Sequence, residues 1–132
     1  SRPIEQPVAR GMEPHRDPNN ILSKRIIYFD YDSNLVKEEY RPLVAAHAKY
    51  VATNGKARII IQGNTDERGG SEYNLALGQR RADAVKQMMA VLGADAGRVE
   101  SVSFGKEKPR AQGMTEEAYA QNRRAEIVYQ GE

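Results

Sequence analysis

The sequence predicts an α/β sandwich of order β-α-β-α-β-(α)-β, a four-stranded sheet with its helices packed mainly on one face. Two observations carry most of this. Strand-length apolar runs, "RIIYF" and "RIIIQG", alternate with segments of helical periodicity. Such alternation favours right-handed β-α-β crossovers and helices gathered on a sheet face. A third observation bounds the size: 132 residues suffice for one modest core and not for two.

Residues 1–22 come first and read as a flexible N-terminal tether. They carry Pro3, Pro7, Pro14 and Pro18 and no apolar periodicity, so they bury too little surface to offset the entropy of ordering. The folded domain is expected over residues 23–132. "KRIIYFD" (24–30) is the first strand, rich in β-branched and aromatic residues and closed by an acidic turn. A helix is expected from about Val36 to Thr53, with Pro42 near its start, where a missing N–H costs little. Leu43, His47, Tyr50 and Asn54 share one side of it, widened by Val44 and Val51, and "NGK" supplies the stop. "ARIIIQG" (57–63) is apolar almost throughout, the pattern of a central strand buried on both faces. The loop "NTDERGG" leads into a long helix from about Ser71 to Leu92, which "GADAGR" ends. "VESVSFG" (99–105) alternates as a strand, "TEEAYAQN" (115–122) is a short helix capped by Thr115, and "AEIVYQ" (125–130) is the last strand.

Composition removes several function classes. Twenty basic residues against 18 acidic ones leave a net charge of +2, too little excess for a protein that coats nucleic acid or clings to an anionic membrane. No stretch approaches the roughly 20 apolar residues of a membrane span. The absence of cysteine excludes disulfides and thiolate metal sites. His15 and His47 have no zinc spacing, and His47, on the apolar side of its helix, reads as a hydrogen-bonded, partly buried side chain. "GNTDERGG" lacks the lysine and hydroxyl of a phosphate loop. Ser71 and Ser101 have no evident triad partners, and Asp66 and Glu67 are adjacent, so they cannot flank a scissile bond at the roughly 5–9 Å that glycosidases need. No enzyme, cofactor or metal is expected.

One residue breaks the pattern of the long helix. At about 100° per residue, with Leu77 at zero, Met88, Leu92, Val85, Ala84, Tyr73 and Val91 define an apolar face. Arg81 falls at roughly 40°, inside that face, with Asn74 at about 60° and Arg80 at its edge. An unpaired buried guanidinium is very costly and arginine cannot shed its proton, so Arg81 must have a partner. Two remain open: a protein carboxylate, or a visiting anion near the N-terminal half of the helix. Asp66 lies where α/β sheets place ligand sites, at the carboxyl end of a central strand and before Gly69 and Gly70. An acid and a base at one crevice suit a zwitterion. The alternative is that Asp66 only caps the helix or pairs with Arg68.

These residues stand within a longer pattern. "IIYFDYDS", "EEYRPLVAAHAKYV", "GNTDERGGSEYNLALGQRRADAVK", "VSFGKEKP" and "QNRRAEIVY" together resemble the OmpA-like C-terminal domains of Gram-negative bacteria, over about residues 24–130. The resemblance implies a mixed sheet and a non-catalytic, non-covalent grip on the peptidoglycan stem peptide through meso-diaminopimelate. The far end of that residue is an amino-acid zwitterion. It implies that Asp66 of the "TD" motif, which Thr65 begins, and Arg81, the second arginine of "RRA", hold this end. Leu77 matches a pocket-lining position, Asn74 a recurring asparagine, and Asp30 and Asp32 of "FDYDS" the other pocket wall. Arg123 and Arg124 of "NRR" support either the site or the fold alone. The resemblance also implies TolB as a periplasmic partner competing for an overlapping surface. An interaction module of the division-linked Tol assembly is therefore the alternative to a wall anchor. Finally it implies a lipid on an N-terminal cysteine, at the periplasmic face of the outer membrane. This chain has no cysteine, so on that reading it begins after the anchor and residues 1–22 belong to the tether between membrane and wall.

Overall fold

Among the residues that the computed structural model describes, 17–131, four strands and three α-helices follow the expected order. They are β1 (Ile26–Tyr28), α1 (Arg41–Thr53), β2 (Ile59–Asn64), α2 (Ser71–Val91), β3 (Val99–Gly105), α3 (Glu116–Asn122) and β4 (Arg124–Tyr129). The sheet order is β1-β4-β2-β3. β2 and β3 run parallel, joined by α2. β4 inserts between β1 and β2, antiparallel to both. The sheet is therefore mixed through one inserted strand, and β1 and β2 keep the common direction of a β-α-β unit.

Helices α1 and α2 cover one face. Ala125, Ile127 and Tyr129 of β4 point into the core they form, while Glu126 and Val128 alternate outward. β2 behaves similarly: Ile59 and Ile61 are buried but Ile60 is only half-buried, so the all-apolar run marks a central strand rather than a sheet covered on both faces. His47 is fully buried rather than partly so. Its Nε2 lies 2.9 Å from the Lys24 carbonyl, which only accepts, so Nε2 carries a proton. Its Nδ1 lies 2.6 Å from the Tyr129 hydroxyl. The imidazole thus ties α1 to β4 and to the entry of β1.

Two boundaries differ from the sequence expectation. The first helix begins at Arg41, not near Val36, after a 3-10 turn at Glu38–Tyr40. Pro42 is the reason. A helix running from Val36 would set its ring against the Glu38 carbonyl and leave that carbonyl without a donor, whereas proline is tolerated in a first turn. At the other end, turn structure precedes Ser23, from Asp17 on. Asn20 accepts from the Leu22 N–H at 2.9 Å to cap a 3-10 turn at Ile21–Ser23, and Asp17 and Leu22 are buried. "DPNN" is therefore turn chemistry, in which Asp and Asn side chains bond nearby N–H groups. Residues 1–16 of the expected tether lie outside the described residues.

The buried face of α2 is also rotated from the one the periodicity predicts. Tyr73 and Val91 are exposed, and the buried residues are Asn74, Leu77, Gly78, Arg81, Ala82, Val85 and Met89. The small residues set this rotation. A Cβ at Gly78 would sit 3.0 Å from the Gly63 carbonyl oxygen, and one at Gly63 would collide with the Gly78 carbonyl. Helix and central strand touch backbone to backbone here, a contact that a hydrophobicity pattern does not weigh. Replacing Gly63 by alanine should cost about 3 kcal/mol, as overpacking does. Gly55→Ala, with open space around it, should stay within about 0.5 kcal/mol. Urea unfolding of the two variants checks the difference.

Candidate functional site

Arg81, on α2, reaches the loop after β1 and the end of β2. It is wholly buried, at 0% exposed. Its partners are three backbone carbonyls: Nε donates to Ser33 at 2.8 Å, Nη1 to Asn64 at 2.9 Å and Nη2 to Asp30 at 3.0 Å. The guanidinium also lies 5.3 Å from the centroid of the Phe29 ring. The three carbonyls satisfy three donors but carry no net charge, so the two partners the sequence left open, a carboxylate and a visiting anion, both remain as counter-charges, with Asp66 the nearby carboxylate. The carbonyls belong to the loop after β1 and the last residue of β2, and that of Asp30 also accepts from the Ser33 N–H at 3.2 Å. Burial lowers the Arg81 pKa to about 10, with nearby Asp66 acting in the opposite direction, so the side chain remains cationic at neutral pH.

Asp66 follows β2 and is buried, at 5% exposed. Its Oδ1 accepts from the Arg68 N–H at 3.0 Å and from Arg68 Nε at 3.1 Å, and its Oδ2 accepts from Arg68 Nη2 at 2.7 Å. Burial works to raise its pKa, but the side-chain and backbone bonds from Arg68 and the charges of Arg68 and Arg123 outweigh it and hold the pKa below the usual 3.8. Arg123 stands on the far side, with Nη1 3.6 Å from Asp66 Oδ2. Its Nε donates to the Phe29 carbonyl at 3.0 Å and its Nη2 to Glu116 at 2.9 Å, while the buried Nη1 has no hydrogen-bond partner. Arg124 serves elsewhere. It bonds Glu126 at 2.5 Å and the carbonyls of Asn122 and Lys108, bracing the segment before α3. Of this arginine pair, Arg123 belongs to the surroundings of Asp66 and Arg124 to the fold.

Arg81, Asp66 and Arg68 border a small crevice with a cavity volume of about 60 Å³, and Arg123 and Arg124 lie outside its lining. Thr65, Asp66, Asn74, Leu77, Arg81 and Asp32 all line it, each a residue singled out from the sequence. Asn74 donates to the Arg68 carbonyl at 2.8 Å and so shapes the loop, which turns through Gly69 at φ +96°. Thr65 is fixed by its N–H to the Gly105 carbonyl at 2.8 Å. Asp32 accepts from the Tyr73 hydroxyl. Asp30 is placed differently: its carboxylate pairs with Lys37 at 2.8 Å in solvent, and only its carbonyl turns inward, to Arg81. Tyr31, Arg68, Gly69 and Tyr73 complete the lining. The sequence reading held Arg68 only as a partner for Asp66 and placed Tyr73 on the buried face. Tyr31 lies in the same loop as Asp32, but nothing in a loop sequence fixes the direction of its side chain.

The geometry leaves defined capacity for a ligand. Of five guanidinium N–H donors, Arg81 uses three, leaving two. Asp66 Oδ2 takes one bond, from Arg68, and retains a lone pair.

Residues 28–123 match the OmpA family. The peptidoglycan-associated lipoprotein of Haemophilus influenzae is 50% identical over 103 residues, which cover 78% of this chain and 67% of that protein. The crystal structure of the peptidoglycan-associated lipoprotein from Burkholderia pseudomallei aligns with a TM-score of 0.88 and 53% identity, covering 89% of this chain and 100% of that one. The C-terminal domain of Helicobacter pylori MotB shares the fold, with a TM-score of 0.74 at 20% identity over 83% of this chain and 86% of that one.

Two expectations test the charges. Arg81→Met removes a charged donor from the carbonyls of Ser33, Asn64 and Asp30, the last of which keeps the Ser33 N–H, and should destabilise the domain by about 3 kcal/mol, read by urea unfolding. The depressed pKa of Asp66 gives an acid dependence of defined sign. Its pairing stabilises fully above the unfolded value near 3.8 and is lost as pH falls through the lower folded value. Unfolding midpoints measured from pH 6 to pH 2 should therefore fall less steeply for Asp66→Asn than for the parent chain.

Proposed function

The chain belongs to the OmpA family, and from that premise we propose that it binds peptidoglycan non-covalently and anchors the outer membrane to the cell wall from the periplasmic side. It works as a binding domain and not as an enzyme. The finer part of the proposal is the ligand end: the far zwitterion of meso-diaminopimelate in the stem peptide. One observation carries it, the crevice that has both Asp66 and Arg81 in its lining. The guanidinium of Arg81, with two N–H groups not used within the chain, suits a carboxylate, and the carboxylate of Asp66 suits an ammonium.

A second reading, a TolB-binding module of the Tol assembly, has its own support. Tyr31 and Tyr73 are 63% and 49% exposed at the crevice, and aromatic side chains left in solvent beside a cleft are typical of protein contact sites. The two readings are compatible if TolB docks over the mouth of the crevice, with wall and TolB then excluding one another. A lipid anchor preceding this part of the chain belongs to the same proposal, since the relatives are named lipoproteins.

Calorimetry with two tripeptides tests the ligand. A lysine-type stem peptide lacks the terminal carboxylate, so it should bind about 10- to 100-fold more weakly than the diaminopimelate form, the worth of charged hydrogen bonds. Equal affinity for both overturns the zwitterion reading.

A further inference from the structure

Two guanidiniums approach the Asp66 carboxylate, those of Arg68 and Arg123, a third, that of Arg81, lines the same crevice, and the three are not held alike. Arg81 is wholly buried and Arg123 is 7% exposed, and each donates to at least one backbone carbonyl. Arg68 has a side chain 36% exposed, and the hydrogen bonds its guanidinium makes go to Asp66. The rest of its hold is two ring faces. Its guanidinium carbon lies 4.4 Å from the centroid of Tyr31, in the loop after β1, and 4.2 Å from that of Tyr119, on α3. Arg68 therefore spans between two separate elements over the side chain it pairs with. Its own backbone does not share this freedom: the N–H is bonded to Asp66 Oδ1 and the carbonyl accepts from Asn74.

We propose that the Arg68 side chain is a displaceable plug, occupying at Asp66 the place that an incoming ammonium takes, and that it restricts the crevice to ligand ends that bring a cation of their own. This rests on the zwitterion reading of the crevice. Exchange of guanidinium for ammonium keeps Asp66 paired throughout, which a buried carboxylate requires. A ligand end with a carboxylate alone offers Asp66 nothing and leaves the plug seated. The bonds that must yield are a partly exposed ion pair and two cation–π contacts, each weak on the scale of a buried pair. The pinned backbone confines the movement to side-chain torsions, so the loop keeps its shape while the plug leaves.

The test uses Arg68→Ala, the parent protein and two tripeptides: the diaminopimelate form, and an analogue in which the side-chain amine is replaced by hydrogen while its carboxylate is kept. Loss of the competitor should tighten binding of the diaminopimelate peptide about fivefold, the worth of a partly exposed ion pair. The amine-free analogue should gain nothing. In the parent protein, the Arg68 Nε–H resonance should move to the position of free arginine when the diaminopimelate peptide saturates the site. Equal or weaker binding of that peptide by Arg68→Ala, or an unmoved Arg68 resonance at saturation, overturns the plug and leaves the stem-peptide reading standing. If the parent protein binds neither peptide, the stem-peptide reading itself falls and the plug falls with it.

Discussion

A buried guanidinium holds this domain's functional end together. Arg81 reaches from α2 to the carbonyls of Asp30, Ser33 and Asn64, and so binds the loop after β1 to the end of β2. Those carbonyls lie where regular pairing stops, and a buried carbonyl without a donor is expensive. A charged donor with planar, diverging N–H groups satisfies three of them from one position, which lysine, a point charge on a flexible stem, does not match. The loop bearing Tyr31 and Asp32 and the loop bearing Thr65 and Asp66 are thus set against each other by the same residue that faces the crevice between them. Fold and recognition are not separable at Arg81, and loss of binding in an Arg81 variant carries meaning only beside a measurement of its stability.

Around Asp66 the same economy appears in electrostatic form. One carboxylate is approached by Arg68 and Arg123, and its charge is maintained against burial by the first of these above all. Arg123 in turn is steadied by Glu116 and by the Phe29 carbonyl, which links the site to α3 and to the end of β1. Its buried Nη1 lacks a hydrogen-bond partner 3.6 Å from Asp66 Oδ2, so the cluster has donor capacity in reserve beside the oxygen that Arg68 also reaches. A carboxylate so surrounded stays ionised when one cation is exchanged for another.

The position of α2 rests on a different constraint, the contact of Gly78 with Gly63. With no Cβ on either residue, the helix settles onto the central strand and turns Asn74, Leu77 and Arg81 toward the strand ends. The outward rotation of Tyr73 follows, and its hydroxyl is then able to meet Asp32 across the crevice. The two glycines thus decide which side chains the site receives.

Much of this was legible in the sequence. The order of elements, the limits of α2, β3 and α3, and the presence of Thr65, Asp66, Asn74, Leu77, Arg81 and Asp32 at one place follow from apolar spacing, cap chemistry and the resemblance of the motifs. Pro42 and "DPNN" also carry their message locally, and a stricter reading of each places α1 at Arg41 and turn structure before Ser23. By itself, then, the sequence determined which segments are strand and helix, and that a charge on the buried face of α2 needed partners. Only the tertiary structure decided that those partners are backbone carbonyls, that Asp30 turns its carboxylate outward, and that Arg68 lies between Tyr31 and Tyr119. The reason is physical. Periodicity records whether a side chain is buried, whereas its partners are set by contacts between segments 17 to 51 residues apart, as the three bonds of Arg81 are.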